Sequence, residues 1–286
     1  MPTLKEIKSR IASVSSTLKV TSAMKLVASA KLRKAQKAVE SMRPYEAMLR
    51  DILSRLLSCE GIPDGPYTTV REASGGKVAI VAFSSNSSLC GGFNVNAAAK
   101  VKSVLEEYPD ATVYSIGRKM ADAMRKAGHP SPGDFHEMAE HPSFEAASDL
   151  ARELMDKYAS GELDKVILVH NHFVTTSHQE CVARTFLPAS IEASGDGAPQ
   201  EPGDYIIEPD AVTLIGELLP MALRLSLYTA LLDSNASEHA ARTVAMQTAT
   251  DNGNNLLDEL TLAYNKSRQQ KITNEILDLA AGSADR

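Results

Sequence analysis

The residues best placed to do chemistry follow the first buried apolar segment of the chain. Val78–Phe83 is a continuous apolar run, typical of a buried parallel strand, and the polar segment Ser84–Asn94 comes directly after it. A loop between a strand and a helix is where a phosphate-binding loop lies. This segment lacks the G-x-G-x-x-G spacing, however, and the P-loop pattern G-x-x-x-x-G-K-[ST] does not occur in the sequence. Nucleotide binding is therefore disfavoured.

Three histidines offer a second possible site. His170 and His172 are two residues apart on a predicted strand and so share a face, and His178 follows shortly after. Several imidazoles close together make a metal site conceivable. Histidines that are simply polar residues on a sheet face are the more common case, and this interpretation is favoured.

The cysteines give no catalytic signal. Cys90 lies in the polar segment, but no base is placed near it to activate a thiolate. The wide spacing of the three cysteines fits neither a disulfide framework nor a zinc site, and it favours free thiols at Cys59, Cys90 and Cys181. The sequence also lacks a nucleophile elbow and a pair of catalytic carboxylates. We therefore predict that the chain is not an enzyme and holds no cofactor or metal.

Charge is unevenly distributed along the chain. The net charge is −6, but residues 1–43 carry ten Lys/Arg and two Glu, a net charge of +8, so the remainder carries −14. The simplest interpretation is a solvated helix face. Nucleic-acid binding is disfavoured because no aromatic residue precedes Tyr45 to stack on bases. A third possibility is a basic rod that lies against an acidic protein surface.

The elements that would carry these residues begin with a long helix. Positions taken alternately three and four residues apart from Leu4 to Leu56 number sixteen, and thirteen of them are apolar. This period is typical of a helix that packs along one seam against another long helix. The exceptions are Thr21, Lys25 and Glu46, and Lys25 on the seam already suggests contact with a partner.

The C-terminal segment has the same character. Apolar residues recur at helical spacing from Met221 to Leu279, and Pro220 suits a first helical turn. The seam predicted from this spacing comprises Met221, Leu225, Tyr228, Leu232, Met246, Ala249, Leu256, Leu260, Ala263, Ile272, Ile276 and Leu279. Asp251–Asn255 contains Asn-Gly, which locally favours a turn. We nevertheless predict one continuous helix, with Gly253 allowing another backbone to approach closely.

The middle of the chain alternates strands and helices. Strands are predicted at 78–83, 112–116, 165–174 and 180–187, and helices at 94–107, 119–127 and 143–160. Such alternation indicates a mostly parallel sheet. The predicted fold class is α/β plus long helices, in which N- and C-terminal helices form an antiparallel coiled coil around a central Rossmann-like α/β domain. The boundaries are 1–58, 75–190, a linker at 191–208, and 209–286. No apolar run approaches the length of a membrane span, and no signal or transit peptide is expected.

Three stretches of the sequence resemble one family, the gamma subunits of rotary (F-type) ATP synthases. They are the N-terminal segment Ile7–Gln36, the C-terminal segment Ser237–Leu279 and the central Leu89–Asn94, LCGGFN. The order of the domains agrees, so the resemblance covers the full chain. Asn86-Ser87-Ser88 departs from the family, which commonly has Asp-Arg-Gly there, and the polar ending Ala284-Asp285-Arg286 replaces a small-apolar one.

The resemblance implies a noncatalytic central rotor shaft. Such a shaft couples proton-driven rotation of the membrane c-ring to ATP synthesis on a hexamer of alpha and beta subunits. It also implies a contact with the epsilon subunit and a peripheral location on the cytoplasmic face of a bacterial plasma membrane. Association with the membrane would occur only through the complex.

The resemblance also assigns subunit contacts residue by residue. Met24 and Lys25 match the region that faces beta-subunit loops, and Arg242 matches an arginine of the C-terminal helix near the same contact. Gln269, Thr273 and Glu275 match polar positions where the upper shaft meets the catalytic hexamer. Two functions of other classes stay open from the residues alone: a static coiled-coil scaffold and a stand-alone α/β nucleotide-binding protein.

Overall fold

A computed structural model describes residues 3–60, 65–71, 77–189, 207–208 and 210–284. In chain order the elements are α1 (Leu4–Glu60), β1 (Val78–Phe83), α2 (Phe93–Glu107), β2 (Thr112–Ile116), α3 (Arg118–Lys126), α4 (His136–Glu140), α5 (Phe144–Ala159), β3 (Lys165–Phe173), β4 (Gln179–Leu187) and α6 (Ala211–Ala284). The predicted fold class is confirmed. Only the five-residue α4 was missed, because it is too short to show a helical period.

The four strands form one mixed sheet in the order β2-β1-β3-β4. β1 pairs in parallel with β2 and β3, whereas β4 pairs antiparallel to β3 across a turn at Thr175–His178. Because side chains alternate along β1, Ala79, Val81 and Phe83 enter one buried cluster. Val78, Ile80 and Ala82 enter another, on the opposite face. Helices therefore cover both faces: α5 and α6 on the first, α2 and α3 on the second.

The chain divides into two compact units. Unit 1 comprises residues 1–29 and 242–286, and unit 2 comprises residues 30–241. This division separates compact bodies, whereas the boundaries predicted from the sequence separate helices from the sheet domain. Those boundaries stay a prediction, and residues 190–206 and 209, which include most of the predicted linker, lie outside the described residues.

Unit 1 is a pair of antiparallel helices in constant register. A Cβ added to Gly253 would lie 2.6 Å from Leu18 Cδ2, so the two helices approach closely there. Thr250 Oγ1 donates to Thr21 Oγ1 at 3.1 Å, and Lys25 Nζ donates to Gln247 Oε1 at 2.7 Å. The residue numbers of each pair add to 271 or 272. The continuous helix predicted across Asp251–Asn255 is therefore confirmed.

The N-terminal seam agrees with burial at every position. All sixteen seam residues from Leu4 to Leu56 are buried or partly buried, including Thr21, Lys25 and Glu46. Within unit 2, Ala35 and Val39 pack with Leu232 and Ala236 of α6. Pro44 lies inside α1 without ending the helix.

The C-terminal seam differs from the predicted one. Leu256 and Ala263 are exposed, whereas Leu260 is partly buried as predicted. The other partly buried residues in this part of unit 1 include Gly253, Leu257, Tyr264 and Ser267, which were not in the predicted seam. The predicted series through Leu256 and the observed series through Leu257 both contain leucine, so the apolar pattern alone could not distinguish them.

The seam also ends earlier than predicted. At the observed register residue 267 lies opposite Leu4, the first residue of α1, and every described side chain from 268 to 277 is exposed. The assignment of Ile272 and Ile276 to the seam was wrong, because α1 has no residue opposite them. α6 continues past this point for about 25 Å without a partner helix among the described residues.

The start of α6 also corrects the sequence analysis. The helix begins at Ala211, so Pro220 lies inside it rather than in its first turn. Asp210 caps the helix: Thr213 N donates to its Oδ1 and Thr213 Oγ1 to its Oδ2, both at 2.8 Å. These hydrogen bonds hold the pKa of the Asp210 carboxyl below its usual value.

Helix α6 corrects the prediction that no apolar stretch approaches the length of a membrane span. Within 211–277, one 18-residue window has a mean hydropathy of at least 1.2, enough for a membrane span by length and composition alone. Its helix places Ile215, Leu219, Leu223 and Leu227 in the core cluster under the sheet. This packing accounts for part of the apolar composition, since 33 % of the window is buried.

Candidate functional site

The polar segment after β1 is folded on itself. Ser85 N and Ser85 Oγ both donate to Asn94 Oδ1 at 3.0 Å, and Asn94 Nδ2 lies 3.1 Å from Cys90 Sγ. Leu89 and Gly91 adopt positive φ angles of 66° and 58°, which turn the chain into α2. The side chains that would have faced a phosphate therefore hydrogen-bond within the loop.

The same loop occupies the start of α3. Ser84 Oγ accepts a hydrogen bond from Met120 N at 2.8 Å, and Asn86 Oδ1 accepts one from Arg118 N at 3.0 Å. Backbone N–H groups at a helix start are the groups that bind phosphate. Asn86, which stands where the family commonly has Asp, also donates to His136 O at 2.8 Å. Its role is to join the loop to two helices.

The histidines of β3 lie on one sheet face, as their spacing predicted. His172 Nδ1 hydrogen-bonds Asp233 Oδ2 of α6, and Asp233 Oδ1 accepts from Phe173 N at 3.1 Å. His170 is 4 % exposed, and burial lowers the pKa of its imidazole to about 4. Among the described residues no three His, Cys, Asp or Glu side chains are grouped to hold a metal ion.

The candidate contact residues of α1 lie in unit 1. Met24 and Lys25 are partly buried, and Lys25 hydrogen-bonds Gln247 across the helix pair. Around them Val20, Leu26 and Val27 are 57 %, 68 % and 58 % exposed. No role was predicted for these three residues, although they are apolar and fall outside the predicted seam. Their position off the 3-4 series was the signal that could have identified them.

The candidate contact residues of α6 have two different environments. Gln269, Thr273 and Glu275 are exposed on the single-helix extension, where Lys271 Nζ lies 3.6 Å from Glu275 Oε1. Arg242 is 8 % exposed, which the sequence did not indicate. The structure thus groups the first three residues on one exposed segment and places Arg242 apart from them.

Comparison with known proteins finds one family over almost the whole chain. The ATP synthase family model matches residues 3–284. An ATP synthase gamma chain from Phocaeicola vulgatus is 50 % identical over 291 residues, covering 99 % of this chain and 99 % of that protein. The ATP synthase gamma chain of Bacteroides fragilis is 47 % identical over 292 residues, again covering 99 % of each chain. The chain belongs to the ATP synthase gamma chain family.

Solved structures agree at the level of the fold. A chain from the rotor of the Euglena gracilis mitochondrial ATP synthase superposes with a TM-score of 0.65 at 20 % identity, covering 94 % of this chain and 98 % of that one. A second structure of that complex, in another rotational state, gives a TM-score of 0.66 at 18 % identity and covers 98 % of this chain and 93 % of the other. Family membership, which confirms the resemblance read from the sequence, excludes the stand-alone nucleotide-binding protein.

Proposed function

We propose that the chain is the noncatalytic central rotor shaft of an F-type ATP synthase. The observation that carries this function is the antiparallel helix pair of unit 1, which keeps large apolar side chains on its outer surface. Exposed apolar groups such as Leu26 and Leu262, 68 % and 71 % exposed, are typical of a surface that other proteins enclose. A chain of the gamma family with such a helix pair fits the cavity of a catalytic hexamer.

The proposed partners are those of a gamma subunit. They are the alpha and beta subunits around the helix pair, the epsilon subunit, and the c-ring of the membrane rotor. Two of the gamma-chain relatives come from Phocaeicola vulgatus and Bacteroides fragilis, which supports a bacterial complex. We place the chain on the cytoplasmic face of the plasma membrane, held there through the complex, with protons as the coupling ion.

The hydrogen bonding of the loop after β1 supports the proposed noncatalytic role. Its side chains hydrogen-bond one another and the first turn of α3, which leaves no preformed cradle for a triphosphate. ATP is then made on neighbouring subunits, and this chain contributes mechanical coupling. Isothermal titration of the purified chain with ATP should detect no stoichiometric binding, and a tight one-to-one complex would contradict the noncatalytic role.

Coupling requires that the shaft bind some states of the hexamer more tightly than others. A ligand held equally in every state shifts no equilibrium, however tightly it binds. We assign this differential contact to Met24 and Lys25 in unit 1, and to Gln269, Thr273 and Glu275 on the exposed extension. Arg242 belongs to the proposed set as well, but its burial means that a substitution there would also disturb packing.

The test is therefore made at Lys25. In reconstituted complexes we expect Lys25→Glu to retain the subunits but to lower proton-driven ATP synthesis several-fold more than ATP hydrolysis. The charge-matched control is Lys126→Glu on α3, an exposed residue of unit 2. Equal loss of both activities together with loss of the chain from the complex would mean that Lys25 serves assembly.

A second measurement separates a shaft from a static scaffold. A fluorescent bead attached to unit 2 of the chain, in a surface-fixed alpha–beta complex, should rotate when ATP is supplied. A bead that stays still while the complex hydrolyses ATP would favour the scaffold.

A further inference from the structure

Unit 2 contains a cleft that the shaft function does not use. Its volume is about 910 Å³, and its walls come from α1, the β3–β4 face of the sheet, and α6. Pockets that bind small molecules have volumes of roughly 300–1,000 Å³. The cleft is therefore large enough for an organic ligand rather than a single ion.

One part of the cleft is apolar. Leu49 and Leu53 of α1, Leu168 and Phe186 of the sheet, and Leu223 of α6 line it. All five are at most 7 % exposed, so these walls are rigid parts of the core. An apolar body of several carbons that lies against these walls would remove its own surface from water.

The residues that line the cleft also include two with buried polar atoms that lack partners. His170 Nδ1 and Thr229 Oγ1 each have no hydrogen-bond partner among the described residues, and both residues line the cleft. Leaving such an atom without a partner destabilises the folded protein. Two of them on one cleft indicate that a polar group of another molecule completes their hydrogen bonds.

A positive charge lies beside these atoms. His170 pairs with Val182 across the sheet and Arg184 with Leu168, which makes Arg184 a diagonal neighbour of His170 on the same face. Such neighbours are about 7–8 Å apart, within reach of a long side chain. Arg184 forms no hydrogen bond or ion pair with any residue that the structure describes.

The remaining charges of the cleft leave a positive surplus. Glu46 is paired with Arg50 at 3.1 Å, and Asp233 is hydrogen-bonded to His172. Arg43, which also lines the cleft, has neither kind of partner in the described part of the chain. The acidic side chains are thus engaged, whereas two guanidinium groups are not. An anion is the complement of this arrangement.

We propose that the cleft binds an amphipathic anion, one carboxylate or phosphate head on an apolar body. Arg184 and His170 hold the head, with Thr229 Oγ1 as a further donor, and the body lies against Leu49, Leu53 and Phe186. The site does not depend on rotation or on contact with the hexamer. Its occupant touches α1, the sheet and α6 at once, so binding stabilises the packing of the sheet on the two helices.

Binding is measured on the purified full-length chain with cis-parinaric acid, a fluorescent fatty acid. We expect saturable binding of one molecule per chain, displacement by lauric acid or dodecyl phosphate, and a rise in the thermal unfolding temperature with lauric acid. 1-Dodecanol, which lacks the charge, should displace the probe at least tenfold less effectively. Inorganic phosphate, which lacks the body, should not displace it at millimolar concentration.

Two matched substitutions locate the site. Arg184→Gln should weaken the binding of cis-parinaric acid about tenfold or more, the loss expected for a charged hydrogen bond. Arg125→Gln, on α3 and paired only with Asp122 among the described residues, should leave it unchanged. Circular dichroism establishes that both variants are folded.

Four results would overturn the proposal. The first is non-saturable binding of cis-parinaric acid, and the second is an equal effect of Arg184→Gln and Arg125→Gln on that binding. The other two are displacement of the probe by dodecanol, or by inorganic phosphate, at the same concentration as lauric acid. Thr229→Val, which removes only the hydroxyl donor, is a further test. It should weaken the binding of cis-parinaric acid several-fold, and an unchanged affinity would contradict the placement of the anionic head beside Thr229.

Discussion

The helix pair of unit 1 and the α/β domain of unit 2 bury their apolar side chains to different degrees. In unit 2, Ala79, Ile80, Val81 and Ala82 are all 0 % exposed, because helices cover both faces of the sheet. In unit 1 the buried apolar side chains of the described residues are Ile7, Ala28 and Met246. A pair of helices has only one shared seam, so most of each helix surface stays outside. Unit 2 therefore holds its own core, whereas unit 1 depends on contacts with other molecules for further burial.

The strongest test of this difference is a pair of leucine truncations. Leu154→Ala in unit 2 should cost about 3–5 kcal/mol, because the side chain is 0 % exposed and leaves a cavity. Leu260→Ala in the partly buried seam of unit 1 should cost about 1–2 kcal/mol. Urea unfolding combined with hydrogen exchange along the chain measures both, since the two units need not open together. Equal losses would mean that the helix pair is packed as tightly as the domain.

Two glycines sharpen the comparison. Gly117 has a φ of +99°, which an alanine rarely adopts, so Gly117→Ala strains the backbone. The new Cβ would also lie 2.3 Å from the Ser84 carbonyl oxygen, so the backbone there would have to move. We expect a loss of about 3 kcal/mol in thermal or urea unfolding.

On Gly253 the obstacle is the end of a side chain, Leu18 Cδ2 at 2.6 Å. Gly253→Ala should cost no more than about 1 kcal/mol, because the gain in helix propensity offsets part of the overlap. Adding Leu18→Ala should make the alanine at 253 favourable. Gly128→Ala, with a φ of +92° but nothing within 4 Å of the new Cβ, separates backbone strain from steric overlap.

The pH dependence of stability tests the interior of unit 2. Burial lowers the pKa of His170 from its usual 6.5 to about 4, while Asp233 opposes the shift and Arg184 and His172 add to it. The unfolded chain therefore binds more protons, and the stability present above pH 6.5 is lost as the pH falls towards 4. At pH 5 the loss should be on the order of 2 kcal/mol. His170→Gln should flatten the profile between pH 7 and 5, and an unchanged slope would assign it to other groups.

The smallest effect is expected on the outer face of unit 1. Lys8 is exposed and lies off the seam, so Lys8→Gln should change stability by less than about 0.5 kcal/mol. The same unfolding assay checks this, with Leu260→Ala as the seam reference. A larger loss would show that the basic face of α1 contributes to folding.

Several parts of the fold could be predicted from local pattern because each depended on one kind of residue. The apolar run of β1 and the 3-4 seam of α1 were confirmed at every position, since burial on one or both faces dictates their composition. Within α6, by contrast, Leu256 and Leu257 are both apolar. The choice between them rested on the close approach of Gly253 to Leu18, which no local pattern encodes.

By itself, the amino-acid sequence determined the long helices, the mostly parallel sheet and the family of the chain, because periodicity and extended motifs are carried by neighbouring residues. Only the tertiary structure decided that α6 extends beyond residue 267 with no described segment of α1 opposite it, that Arg242 is buried, and that Arg184 lies beside His170 at a cleft. Each of these depends on the register between segments far apart in the chain. Register is set by the packing of both partners together, so neither segment specifies it alone.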